Sequence, residues 1–160
     1  MPDIPTGEVA ISHAIVRHSH DLTFLAKGDS NHWLVMDGSE ASGGCDAGSR
    51  PKELVLFALG GCTAFDVAEI LRKRRLDVRS FTIDLEAEEA DTQPRVFTKI
   101  QLTYNVEGEG VQPSDLELAI HLSLEKYCSV SAMLRRAVPI HWRAMLNGAE
   151  VASGMETDAT

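Results

Sequence analysis

The chain of 160 residues carries 24 acidic against 15 basic side chains, a formal net charge of -9, and 44% of it is hydrophobic. This is the composition of one ordinary globular domain spanning 1–160, and its charge opposes nucleic-acid phosphates and anionic lipid surfaces, so neither is expected as a partner. The longest apolar run, Leu54 to Cys62, falls short of the roughly 20 residues that cross a bilayer, and the polar stretch Met1 to Gly7 has no secretory pattern, so a cytoplasmic location is expected.

From Glu8 to Asp37 the apolar residues come in short alternating runs, Val9, Ile11 and Ile15, then Leu22 and Phe24, then Trp33 and Val35, which predicts an antiparallel meander. Gly28-Asp29-Ser30-Asn31 supplies the turn chemistry between two of these strands, and the Gly-, Ser- and Asp-rich segment from Asp37 to Ser49 reads as a loop holding Cys45. Ser49 as a cap and Pro51 as a first-turn residue open a helix predicted over 51–75. Because Leu54 through Cys62 is apolar or glycine on every side, the first half of that helix is expected to be buried all round. Gly60-Gly61 costs a helix about 1 kcal/mol per residue relative to alanine, so the pair requires close packing or backbone access directly before Cys62.

Phe81, Ile83 and Leu85, and then Val96 through Tyr104 at every second position, predict two strands joined through 91–94. Ser114 and Glu117 read as a capping box for a helix that runs to about Tyr127 and leaves Cys128 at its end. A short helix over 131–137 meets Pro139, and Ile140, Trp142 and Ala144 lead into Asn147-Gly148, a hairpin signal. The ends, 1–7 and 154–160, are expected to be flexible. Strands, a long helix, strands, helices and a closing hairpin indicate an α+β domain with segregated sheet and helix.

Chemistry centres on the cysteines. In a reducing compartment Cys45, Cys62 and Cys128 stay free, any disulfide is transient rather than structural, and their spacing fits no zinc pattern. At helical spacing Cys62 has Ala58, Leu59, Phe65 and Asp66, apolar and acidic neighbours that favour thiol over thiolate, so its activation must come from elsewhere in the fold. A mid-helix position also gains little from the helix dipole. His18 and His20 alternate onto one strand face, but no third metal ligand stands at a suitable spacing, and with His141 they read as surface histidines. Cys45 is assigned no role.

The run from Pro51 to Val67, PKELVLFALGGCTAFDV, and the segment Glu125-Lys126-Tyr127-Cys128-Ser129-Val130-Ser131 together resemble the two cysteine motifs of the OsmC-like family, which includes osmotically induced and organic hydroperoxide resistance proteins. Their order, their separation and the element plan agree over nearly the whole chain. The resemblance implies an OsmC-like fold of antiparallel sheets packed around a long central helix, in an intertwined homodimer with sites at the subunit interface. It implies Cys62 as the peroxidatic cysteine of an organic hydroperoxidase, Cys128 as the resolving cysteine, and an external dithiol of lipoyl type as reductant, with no resident cofactor or metal. Leu56, Phe57, Leu59 and Phe65 are the expected lining of an apolar substrate pocket. In the hydroperoxide resistance branch an arginine from the N-terminal strands faces the thiol, held by a glutamate just after the helix-starting proline. Here Lys52 occupies that glutamate's position, with Glu53 one residue later and Arg17 the nearest arginine. The alternative reading is therefore an OsmC-like binding, structural or redox-sensing protein with little peroxidase activity.

Overall fold

In the computed structural model, which describes residues 10–158, the chain forms two compact units, 1–55 and 56–160. The expected flexibility of 1–7 lies outside the described residues.

The first unit is a three-stranded antiparallel sheet, β1 (Ala14–His20), β2 (Thr23–Gly28) and β3 (Leu34–Met36), paired in that order. The antiparallel meander is as predicted, but of the alternating residues that pointed to it Ile11, Leu22 and Trp33 fall outside the strands, and Val9 lies outside the described residues. The Gly28–Asn31 turn closes with the Asn31 N–H donating to the Gly28 carbonyl at 3.0 Å, and Asn31 takes the left-handed φ of 62° that asparagine tolerates. β1 is exposed along its whole length.

The 37–48 loop is held by one carboxylate. Asp37, almost fully buried, accepts the backbone N–H groups of Gly38, Cys45 and Ala47 at 2.7, 3.1 and 3.0 Å. These bonds, that from Ala47 foremost, favour its charged form and hold its pKa below the usual carboxylate value. Arg50 completes the loop by an ion pair to Asp46 and a bond to the Gly48 carbonyl at 2.9 Å.

α1 runs over Glu53–Lys73. Its start is capped through Glu53, whose carboxylate accepts the Arg50 N–H at 2.9 Å, rather than by Ser49, whose carbonyl is taken by the Asp37 N–H. In the second unit Leu59, Thr63, Val67 and Leu71, one stripe at helical spacing, are buried. The opposite stripe is open: Phe57 is 56% exposed and Phe65 83% exposed, with Ala58 and Gly61 between them. The expectation of burial all round is thus corrected, because a helix lying on one sheet buries a single face and none of the described residues covers the other. By length and composition the 21-residue helix would also suffice to cross a bilayer, which counting only the unbroken run Leu54–Cys62 overlooks. Its buried stripe packs into the core of the second unit.

The second sheet is β4 (Asp77–Glu89), β5 (Phe97–Glu109), β6 (Ile140–Leu146) and β7 (Ala149–Glu156), in that order. Ile100, Leu102, Tyr104 and Val106 of β5 and Ile140, Trp142, Ala144 and Leu146 of β6 lie in register on one face and are buried with the α1 stripe and with Leu116, Ala119 and Ile120 of α2 (Pro113–Leu122). This is the core. β5 and β6 pair parallel, a departure from purely antiparallel sheets, because the 110–139 connection carries the chain back by a helical crossover. Asn147 and Gly148, with φ of 50° and 83°, form the predicted hairpin turn. β7 continues to Glu156, so 154–156 are paired strand rather than the flexible end expected, residues 159 and 160 lying outside the described residues: Gly154 pairs with Trp142, and a side chain there would meet the indole at 2.7 Å.

α2 is capped two positions earlier than predicted, by Gln112 and Asp115 in place of Ser114 and Glu117, with the Gln112 N–H donating to the Asp115 carboxylate at 3.1 Å and Pro113 in the first turn. It passes into a single π-helical turn, Ser123–Tyr127, and Cys128 then caps α3 (Ser129–Leu134), its sulfur accepting the Ser131 N–H at 3.3 Å.

Candidate functional site

Cys62 and Cys128, 66 positions apart in sequence, come together in the second unit. Their sulfurs and a carboxylate oxygen of Asp66 all lie within 4.8 Å of one another, and both cysteines are free thiols. Two local features produce this. On α1, Cys62 and Asp66 stand one turn apart and share a flank of the buried stripe. On the other side the π-helical turn ends α2 early and aims the Cys128 thiol inward as the cap of α3.

The two thiols are unequal. Cys62 is half-buried, whereas Cys128 is 2% exposed. Burial pushes the Cys128 thiol up to about 12, its contact with Cys62 adds to the rise, and the Ser131 N–H opposes it. Cys128 is therefore a protonated, shielded partner at neutral pH, and Cys62 is the thiol a small molecule reaches first.

A buried polar chain fixes α1 beside them. The Tyr104 hydroxyl on β5 lies 2.8 Å from Thr63 Oγ1, and Ser123 Oγ lies 2.9 Å from both Thr63 Oγ1 and Asp66 Oδ2. The Asp66 oxygen accepts from Ser123. An order in which Tyr104 donates to Thr63, Thr63 to Ser123 and Ser123 to Asp66 satisfies every hydroxyl. Burial drives the Tyr104 pKa upward, so its proton stays in the chain. Sequence reading names none of Thr63, Tyr104 and Ser123 for the site, because partners 41 and 60 positions apart leave no local signal.

The proposed supporting charges, Arg17 and Glu53, belong to the first unit and have partners there. The Arg17 guanidinium sits over the Trp33 ring, 5.7 Å from its centroid, and Glu53 caps α1. Of the expected pocket lining, Leu59 is fully buried in the core and lines nothing open. Phe57 instead joins Gly60, Gly61, Ala64 and, from β4, Phe81, Ile83 and Leu85 around a shallow, mainly apolar cavity of about 220 Å³. Gly60 is needed at its floor, since a Cβ there would fall 2.7 Å from the Leu85 side chain, while a Cβ on Gly61 meets nothing. His20 does meet further ligand-type groups, Asp21 and Cys45, which the expectation of no third ligand missed.

A family model described as OsmC-like protein matches residues 43–143. The protein YhfA of Escherichia coli (strain K12) is 42% identical over 127 residues, covering 79% of this chain and 92% of that protein. The chain belongs to the OsmC-like family. Among solved structures, a hypothetical protein from Aquifex aeolicus VF5 is similar to this OsmC-like protein at 29% identity and a TM-score of 0.73, over 87% of this chain and 99% of the other. An organic hydroperoxide resistance protein from Elizabethkingia anophelis shares its fold at 14% identity and a TM-score of 0.66, over 89% of this chain and 100% of the other. The cysteine positions, the α+β plan and the central helix therefore sit in the family that the two motifs pointed to.

Proposed function

We propose that the protein is a two-cysteine thiol peroxidase that reduces organic hydroperoxides to alcohols. The observation that carries this reading is the Cys62–Cys128 pair: two reduced sulfurs no more than 4.8 Å apart, one accessible and one shielded. Membership in a family with hydroperoxide resistance relatives supports it.

In the proposed cycle the Cys62 thiolate attacks the distal oxygen of the peroxide, the O–O bond breaks, and the alkoxide leaves as alcohol after taking a proton. Cys62 is then a sulfenic acid. The Cys128 sulfur attacks it, hydroxide leaves from Cys62 and takes the Cys128 proton as water, and a disulfide forms. Asp66, within reach of both sulfurs, is the group placed to carry that proton. An external dithiol, which the family resemblance suggests is of lipoyl type, returns both thiols. The sulfurs need to close by less than 3 Å to reach the ~2.05 Å of a disulfide.

The proposal includes a homodimer. Phe57 and Phe65 on α1, and Val16 and Trp33 in the first unit, are large apolar side chains left in solvent by one chain, and a second copy is the occupant the resemblance implies.

A specific observation favours a second reading, an OsmC-like protein with slow peroxide chemistry. Arg17 is stacked on Trp33 and Glu53 is occupied as a helix cap, so the two charges expected to activate the thiol have other employment. The readings separate on mixing reduced protein with cumene hydroperoxide or hydrogen peroxide and following free thiols and the Cys62–Cys128 disulfide by mass spectrometry. Rapid disulfide formation selective for the organic peroxide supports the enzyme. Peroxide consumption unaffected by Cys62→Ser overturns it.

A further inference from the structure

We propose that His20, Asp21 and Cys45 form a three-ligand site for zinc(II), separate from the Cys62–Cys128 pair and outside the proposed peroxide chemistry. The ligand atoms of all three residues lie within 4.8 Å of one another, and the residues come from two segments of the first unit, the β1–β2 turn and the 37–48 loop.

The donor set suits the ion. A thiolate, an imidazole and a carboxylate are the three side-chain types zinc takes, and three such ligands leave a fourth position for water. The spacing also suits it. Zinc holds sulfur at about 2.3 Å and imidazole nitrogen at about 2.0–2.1 Å, which at a tetrahedral angle separates the two donors by about 3.5 Å. Cys45 Sγ stands 3.8 Å from His20 Nε2, so a few tenths of an ångström of closure is required.

The surroundings hold these donors toward each other. Ser19 Oγ lies 3.4 Å from His20 Nδ1, occupying the ring nitrogen that faces away from Cys45 and leaving Nε2 for the ligand role, as outer partners of metal-bound histidines do. Asp37, itself buried, grips the Cys45 and Ala47 amides and so fixes the backbone that carries the thiol. Asp21 sits at the turn with φ of 44°, its carbonyl 2.9 Å from His18 Nε2, which fixes the turn from the other side. Binding replaces the Cys45 thiol proton, released to solvent, by the metal, and the two anionic ligands neutralise the dication. The ion would tie the 37–48 loop to the β1–β2 turn.

Because Cys62, Asp66 and Cys128 also converge, the test uses the full chain carrying Cys62→Ser and Cys128→Ser. Titrated with zinc alone, this variant is expected to retain about one equivalent per chain, and cobalt(II) is expected to give the near-ultraviolet thiolate charge-transfer absorption. Adding Cys45→Ser should abolish that absorption and weaken zinc at least 100-fold, and Ser19→Ala should weaken it about 10-fold. Retention of the same zinc affinity after Cys45→Ser, or no zinc bound by the folded double variant, overturns the proposal. A parallel measurement needs no substitution: zinc should slow iodoacetamide alkylation of Cys45 in the unaltered protein, and an unchanged rate at saturating zinc overturns it equally.

Discussion

Thr63 on α1 and Tyr104 on β5 are joined hydroxyl to hydroxyl at 2.8 Å inside the core of the second unit, and Ser123 extends that contact to Asp66 beside the paired cysteines. Removing the middle member strands its neighbours. Thr63→Val keeps the volume but leaves the buried Tyr104 and Ser123 hydroxyls each short of a partner, a loss of about 1–3 kcal/mol in urea unfolding. Tyr104→Phe should cost less on top of Thr63→Val than alone, because the two effects belong to one network. Additive losses would show that the chain does not act as a unit.

The unequal burial of the two thiols predicts unequal phenotypes. With Cys128→Ser the first step survives, so one equivalent of organic peroxide should convert Cys62 to a sulfenic acid that dimedone traps and no intramolecular disulfide follows. With Cys62→Ser neither product should form. A sulfenic acid found on Cys128 in preference to Cys62 would reverse the assigned roles.

The raised Cys128 value sets a stability trend on the alkaline side. An ordinary cysteine loses its proton near 9.0, whereas Cys128 holds its proton to about 12 in the fold. Between those values the unfolded chain binds fewer protons than the native one, so stability is fully present below pH 9 and declines above it, with a limiting slope of about 1.4 kcal/mol per pH unit for one group. Chemical denaturation at several pH values should show this decline, and Cys128→Ser should flatten the part of it below pH 10. An equally steep fall in the variant would assign the effect to other groups.

Much of this architecture is legible in the chain because it rests on short-range periodicity. The alternation through β5 and β6 names the core residues Ile100, Leu102, Tyr104, Ile140, Trp142 and Ala144 directly, and Asn147-Gly148 marks its hairpin. The cap of α2 shows a local signal misread: Ser114 and Glu117 have the spacing of a capping box, but Pro113 belongs inside the first turn and puts the cap at Gln112. Long-range facts were not. An apolar helix does not say which side its own chain covers, so the open face bearing Phe57 and Phe65 read as buried. Likewise the Thr63–Tyr104 and His20–Cys45 encounters depend on how separate elements pack, and side chains of ordinary type at those positions carry no sign of it.

Phe65 gives the dimer a clean test. At 83% exposure it makes little contact with its own chain, so Phe65→Glu should change the stability of the chain by no more than about 0.5 kcal/mol. On a face covered by a second copy the same carboxylate would be desolvated without a partner. Light scattering after size exclusion should therefore find the parent protein dimeric and the variant shifted toward monomer. A parent that is monomeric, or a variant that stays dimeric, would remove the proposed interface.

Asp37 links loop order to charge in the first unit. Its carboxylate serves three amides, and those bonds lower its pKa, so the stabilisation it supplies is present above its ordinary value of 3.8 and lost as the pH falls through the lower folded value. Asp37→Ala removes the acceptor at every pH. The Cys45 and Ala47 amides, which donate to that carboxylate, should then exchange with deuterium faster, while amides in β5 and β6 keep their protection. Unchanged exchange at Cys45 and Ala47 would mean that the loop is held by Arg50 and its contacts to Asp46 and Gly48 alone.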